Sequence, residues 1–239
     1  MLKEYKAHVE ERAEKDIPPL PLNAEQVASL VELIKEPPSG EEDFLLDLLT
    51  NRTPAGVDPA AYVKAAFLTD IAKGTAASPL IDKKHATELL GTMLGGYNVE
   101  SLIELLEDEE VGSIAADGLS NTLLMFNAKH DVIELSKKNK NAKRVVDAWA
   151  NAEWFTNKPE LPEVIKAIVF KVDGEINTDD LSPAQDAPSR PDIPLHALAM
   201  LKKTFKDPID TINKLEESGL PVVFVGDVVG TGSSRKSAT

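Results

Sequence analysis

Apolar residues recur at three- and four-residue spacing through the first 155 positions of the chain, and after about position 166 they gather into short β-branched runs. The first pattern predicts helices and the second predicts strands separated by helices. Asn23, followed three residues later by Gln26, makes a capping box ahead of Val27, Leu30, Val31 and Leu33. Glu41 and Glu42 open a second helix, where negative charge suits the helix dipole, and Phe44, Leu45, Leu48 and Leu49 form its stripe. Asp58-Pro59 is an N-cap with proline at the first helical position, and Gly74 ends that helix. Further helices are expected at roughly 82–94, 99–107, 113–126, 129–138 and 140–155, with Gly95-Gly96 turning between two of them.

Helix starts near 23, 41, 58, 82, 99 and 116 put alternate helices about 34 to 41 residues apart, close to the period of stacked HEAT-type helix pairs. No sequence repeat accompanies the spacing, so an irregular helical bundle stands beside the solenoid as a reading. Pro159-Glu-Leu-Pro162 marks a linker, with Trp149 and Trp154 expected to seal the end of the helical part. The expected division is a helical domain over 1–158 and a second domain over 159–239. In the second, Ala167–Val172 reads as a strand, Asp173-Gly174 as a turn, and Leu195–Phe205 and Ile209–Ser218 as helices. Pro221–Val225 returns to strand and feeds a glycine-rich turn. The fold class is therefore multidomain, α followed by α/β.

Composition narrows the function. Forty acids against 26 bases give a formal net charge of −14, which argues against nonspecific binding to nucleic acid or anionic membranes. A local basic patch at Lys202, Lys203 and Lys206 runs against that trend. No stretch approaches 18 apolar residues, and the charged start Met1-Leu-Lys-Glu-Tyr-Lys lacks the apolar core of a secretory signal, so a cytoplasmic protein is expected. Cysteine is absent, and His8, His85, His130 and His196 show no metal-ligand spacing, so they read as surface or satisfied histidines.

The densest chemistry is the final stretch, Gly226-Asp-Val-Val-Gly-Thr-Gly-Ser-Ser-Arg-Lys-Ser-Ala-Thr239. A strand, a glycine loop and the first turn of a helix are expected, with Ser233, Ser234 and Arg235 at its mouth. Backbone N–H groups, the positive end of a helix dipole and a forked guanidinium all favour an anion. Gly230-x-x-x-x-Arg235-Lys236-Ser237 departs from the P-loop at Arg235, where glycine would let the backbone wrap around phosphate, and the dinucleotide pattern fails at the same residue. The plain alternative is a strand-to-helix turn with Ser233 as N-cap. The chain stops at Thr239 where a helix should begin, so a piece of a longer protein is expected.

Gly-Thr-Gly-Ser-Ser-Arg resembles the substrate loop of the swivelling domain in the aconitase superfamily. Asn177-Thr-Asp-Asp-Leu-Ser-Pro183 is similar to that domain's N-terminal signature, and Ser189-Arg-Pro-Asp-Ile-Pro-Leu-His-Ala-Leu-Ala-Met200 looks like the version in the bacterial B-type members. Gly40-Glu-Glu-Asp-Phe-Leu-Leu-Asp-Leu-Leu-Thr-Asn-Arg52 and Glu88-Leu-Leu-Gly-Thr-Met-Leu-Gly-Gly-Tyr97 resemble the helical leader domain of the same branch.

The resemblance implies a HEAT-like solenoid followed by an incomplete α/β swivelling domain, both from a hydro-lyase. That enzyme would interconvert citrate, cis-aconitate and isocitrate and dehydrate 2-methylisocitrate, with a [4Fe–4S] cluster polarising the substrate hydroxyl. With no cysteine, this chain cannot hold the cluster, and alone it is expected to be inactive. By the same resemblance Ser233 is the catalytic base, acting as an alkoxide that donors and dipoles must stabilise. Ser234, Arg235 and Arg190 would hold substrate carboxylates, while Thr178, Asp179 and Asp180 are expected to organise backbone. The competing function class is an interaction module, because helical solenoids offer extended surfaces, here for a homodimer or for other enzymes.

Overall fold

The computed structural model of the chain describes all residues except 16, 17, 94, 124, 126, 127, 159, 161, 190–195 and 233–239, and the backbone alone at 187–189. The helices in chain order are α1 (Leu2–Glu14), α2 (Ala24–Lys35), α3 (Glu42–Asn51), α4 (Pro59–Ala72), α5 (Lys83–Gly91) and α6 (Val99–Leu105). They continue with α7 (Gly112–Ser120), α8 (Lys129–Ser136), α9 (Lys140–Ala150) and the single turn α10 (Glu153–Thr156). Two compact units result, one of Leu22–Pro159 and one that joins Met1–Pro21 to Glu160–Thr239.

In the helical unit the capping chemistry sets the starts. Asn23 Oδ1 accepts the Gln26 N–H at 2.9 Å while Gln26 Oε1 accepts the Asn23 N–H at 3.0 Å, so two of the donors that a helix start leaves orphaned are satisfied reciprocally. Asp58 accepts from Ala60 N at 2.8 Å ahead of Pro59, and Asp82 and Asn139 cap α5 and α9 in the same way. Packing follows sequence order: α2 meets α3 and α4, α4 meets α5, α5 meets α7, and α7 meets α9. Leu30, Leu45, Leu68, Leu90, Leu102 and Leu119 are all completely buried, each contributing roughly 1.5–3 kcal/mol of transfer free energy. Where α5 crosses α7 the backbones nearly touch, glycine facing glycine at Gly91 and Gly118.

The expected helix over 140–155 is broken. Ala152 adopts φ 52°, a left-handed conformation that ends α9 and restarts the chain as α10. That break separates the two tryptophans. Trp149 Nε1 donates to Leu119 O at 3.0 Å, whereas Trp154 is 48% exposed, so Trp149 alone closes the end of the stack.

The second unit has its own core. β1 (Ile168–Lys171) runs parallel to β3 (Val222–Val225), and β2 (Glu175–Asn177) runs parallel to β4 (Val228–Thr231). The two pairs follow one another along the same two chain passes. Between them Val172 N donates to Val225 O at 2.9 Å and Asp227 N to Gly174 O at 2.9 Å. Gly226 sits at this kink, where a Cβ would lie 3.1 Å from Gly174 O. Phe170, Val172, Ile176 and Leu201 form the buried centre, and the Phe170 ring meets Phe205 and Phe224 edge-on at 4.8 and 5.5 Å.

After β2 come the single turn α11 (Thr178–Leu181), a 3-10 turn (Ala184–Ser189) and α12 (Pro208–Glu216). Three features depart from the sequence expectation. Residues 198–204 form turns rather than a helix, because Leu201 takes φ 59° and its N–H goes to Asp180 O at 2.7 Å. Residues 228–231 form β4 where a loop was expected. And α1, which no apolar stripe announced, packs with this unit: Tyr5, 2% exposed, donates its hydroxyl to Leu20 O at 2.8 Å. Ala13 and Pro18 also share a hollow of about 340 Å³ with Leu198, Lys202 and Pro208. Residues 1–21 therefore stand apart from a helical domain drawn over 1–158.

Candidate substrate loop and its support

Ser233, Ser234, Arg235 and Arg190 lie outside the described residues. What the structure gives in full is the platform leading into the first three. β4 carries the chain to Thr231, which pairs with Asn177 across an irregular register, and its hydroxyl donates to the Glu175 carboxylate. Gly230 and Gly232 then take φ 82° and 92°, a region that side chains other than glycine's rarely enter. Gly232 is doubly constrained. A Cβ there would sit 2.9 Å from Thr178 Oγ1.

Thr178 opens α11, and α11 is a capped turn. Asn177 Oδ1 accepts from Asp179 N at 2.8 Å and Asp180 N at 3.0 Å, and Asp180 Oδ2 accepts back from Asn177 N at 2.9 Å. Asp180 therefore organises backbone, through its side chain and through the carbonyl bonded to Leu201, as an Asx-type residue does. At the other end of α11, Ser182 is fully buried and its hydroxyl lies 3.1 Å from His196 Nδ1, while His196 Nε2 lies 2.9 Å from Pro183 O. A carbonyl only accepts, so Nε2 carries a proton, and in the neutral ring Nδ1 then receives the Ser182 hydroxyl. His196 is thus a satisfied histidine, as expected, but wholly buried beside the segment that holds Arg190. Its setting in Pro194-Leu-His-Ala-Leu198, among apolar neighbours, was the signal for that burial.

Other groups add little chemistry. Among the described residues no group of three His, Cys, Asp or Glu could hold a metal ion, and the chain has no cysteine. A thiolate-held iron–sulfur cluster therefore does not fit the residues present. A hollow of about 810 Å³ in the helical unit is lined by Val57, Tyr62, Tyr97 and Met125, among others, with the Asp70 and Glu100 carboxylates. Its Thr69 and Ser101 hydroxyls lie 2.7 Å from each other.

The motif order of this platform is matched from outside the chain. A family model described as the aconitate B N-terminal domain matches residues 4–155, and one described as the aconitate hydratase 2 N-terminus matches residues 167–239. The chain belongs to the aconitase B family. Aconitate hydratase B of Pseudomonas aeruginosa is 61% identical over 250 residues, covering 100% of this chain and 29% of the relative. The Escherichia coli protein of the same name is 60% identical over 250 residues with the same coverage. That of Helicobacter pylori is 51% identical over 240 residues, covering 100% of this chain and 28% of the relative. The chain thus spans under a third of the length of these aconitase B relatives.

Proposed function

We propose that this chain is the N-terminal part of a cytoplasmic [4Fe–4S]-dependent aconitate hydratase, acting on citrate, isocitrate and 2-methylisocitrate. Its share of the work is to hold substrate carboxylates and remove a proton. The observation that carries this reading is the turn at Gly230 and Gly232, with positive φ at both, delivered by β4 against a capped α11 at the point where Ser233 follows. In a dehydration of this type a base takes a carbon-bound proton, the C–H electron pair becomes the new double bond, and the adjacent hydroxyl departs. Ser233 is the base. Ser234, Arg235 and Arg190 bind carboxylates, the arginines by bidentate pairs. The departing hydroxyl needs an electrophile that this chain does not supply, so the 239-residue chain alone turns over no isocitrate. The helical unit is read as a HEAT-like stack, and residues 159–239 as the opening of a swivelling domain.

The test is kinetics on the complete enzyme, each variant matched for cluster content. Ser233→Ala leaves KM within a few-fold and lowers kcat by about 10²–10⁴. Arg235→Lys raises KM strongly, because an ammonium cannot reproduce the guanidinium fork. Wild-type kcat in Ser233→Ala would reduce Ser233 to a helix cap and overturn the assignment. A second reading, a helical module for a homodimer or other enzymes, is favoured by the groove around Tyr62, 59% exposed, and Val57, 75% exposed. Sedimentation of the chain with and without Tyr62→Asp tests it, and identical profiles would remove that support.

A further inference from the structure

We infer that the buried Ser182–His196 pair is a positioning device for the substrate loop, acting through α11 and Thr178 on Gly232. This deepens the proposed function and rests on it. The physical need comes from the size of α11. A four-residue helix cannot hold itself, since nucleating one turn fixes several dihedrals for a single hydrogen bond. It has to be pinned from outside at both ends.

Both ends are pinned. Asn177 and Asp180 close the N-terminal end by the reciprocal cap. At the C-terminal end the Ser182 N–H returns to Thr178 O at 2.9 Å, and the Ser182 side chain is held by His196. His196 in turn fixes the next carbonyl, Pro183 O, through its other nitrogen. Both partners are 0% exposed, so the bond between them is made out of contact with bulk water. A third tie from Leu201 N to Asp180 O fixes the turn against the core. What these ties immobilise is Thr178, 6% exposed, whose Oγ1 lies 2.9 Å from where a Cβ of Gly232 would be. Gly232 directly precedes Ser233. A shift of Thr178 by a fraction of an ångström is therefore a shift of the wall against which the loop is set, and misplacement of about 1 Å can cost a reaction 10²-fold.

Two experiments test this. In the 239-residue chain, nitrogen NMR of His196 shows a protonated Nε2 and an unprotonated Nδ1, and Ser182→Ala shifts the Thr231 and Gly232 amide signals while those of Leu45 and Leu68 stay in place. The opposite tautomer, or unmoved Gly232 signals, overturns the inference. In the complete enzyme with matched cluster content, His196→Ala lowers kcat about tenfold or more with a smaller change in KM. His196→Gln, which keeps a donor for Pro183 O, recovers most of that loss. Combined with Thr178→Ala, the His196→Ala loss does not multiply, because both act through one contact. Independent, multiplying losses, or a His196→Ala kcat within twofold of wild type, overturn it. Should Ser233→Ala keep wild-type kcat, the proposed function falls instead, and the NMR result alone decides whether His196 positions the loop.

Discussion

Gly118→Ala is a substitution for which helix propensity and packing disagree about the sign. Alanine in a helix interior is favoured over glycine by roughly 0.5–1 kcal/mol, so propensity alone says the variant gains stability. The structure says otherwise. A Cβ on Gly118 would lie 2.8 Å from the Gly91 Cα across the α5–α7 crossing and 3.5 Å from Leu102 Cδ1. Carbon atoms settle at about 3.5–4.0 Å, so the helices must separate by close to 1 Å. Gly91 offers backbone rather than a rotatable side chain, and neighbouring Leu90, Leu102 and Leu119 are completely buried with no slack. Overpacking of this kind costs about 1–3 kcal/mol. The net expectation is a loss of about 1–2 kcal/mol, or a fall in Tm of roughly 3–6 °C for a chain of this size. Thermal unfolding of the 239-residue chain by circular dichroism reads it directly. Gly91→Ala, whose Cβ would lie 3.1 Å from the Gly118 Cα, should also destabilise. The double variant should lose less than the sum, since one separation of α5 from α7 accommodates both methyls. A Tm equal to or above wild type for Gly118→Ala would refute the close crossing.

Three further outcomes follow from individual contacts. Asn23→Ala removes the capping box of α2 and should cost about 0.5–2 kcal/mol by the same thermal assay, with no effect refuting the cap. Burial first, and then Arg12, hold the His8 imidazole below its usual value of 6.5, and its Nε2 accepts the Leu20 N–H at 2.9 Å. The neutral ring is the folded form, so this tether is intact above pH 6.5 and is lost as pH falls through the folded value; the Leu20 amide shift should titrate with a midpoint below 6.5, and a midpoint at or above it would refute the bond. Asp108 is held below its usual 3.8 by the backbone N–H groups of Val111 and Glu110 and by Lys83. Its stabilisation is present above that value and lost as pH falls through the folded one, so Asp108→Asn should flatten the acid end of the stability curve, measured by urea unfolding from pH 6 to 2.

How much of the fold was legible depended on whether the deciding interaction was local. Asn23, Asp58 and Gly74 act within a few residues of themselves, and the helix ends they announced are where the structure has them. β4 was invisible for the opposite reason. Val228 finds Glu175 as partner, 53 positions away in sequence, and between Gly226 and Gly232 the local composition reads as a turn. Leu201 is a similar case: apolar spacing from Leu195 to Phe205 suits a helix, but the Asp180 carbonyl captures the Leu201 N–H and turns its backbone left-handed. α1 buries Tyr5 and little else, so it shows almost no stripe, and its ties to Leu20 and Pro18 belong to its own unit.

For the site, residue types were legible and their reasons were not. Glycine at 232 could be read as a flexible turn residue, which would make its neighbours adaptable and poor at catalysis. The structure gives it two separate demands, a φ of 92° and a gap too narrow for a Cβ unless Thr178 shifts, and each makes a side chain there costly. Glycine is thus specified at this position by two costs rather than left over as an adaptable turn residue. The same holds for the Asn177-Thr-Asp-Asp-Leu-Ser182 stretch, whose polar atoms look like catalytic candidates in sequence. Side-chain bonds of Asn177 and Asp180 go to backbone and one from Ser182 to a buried histidine, engaging those groups in holding the turn. Proton abstraction by a serine needs such a support. An alkoxide is stabilised only by donors that already point at it, and donors on a loop free to relax would turn to water instead.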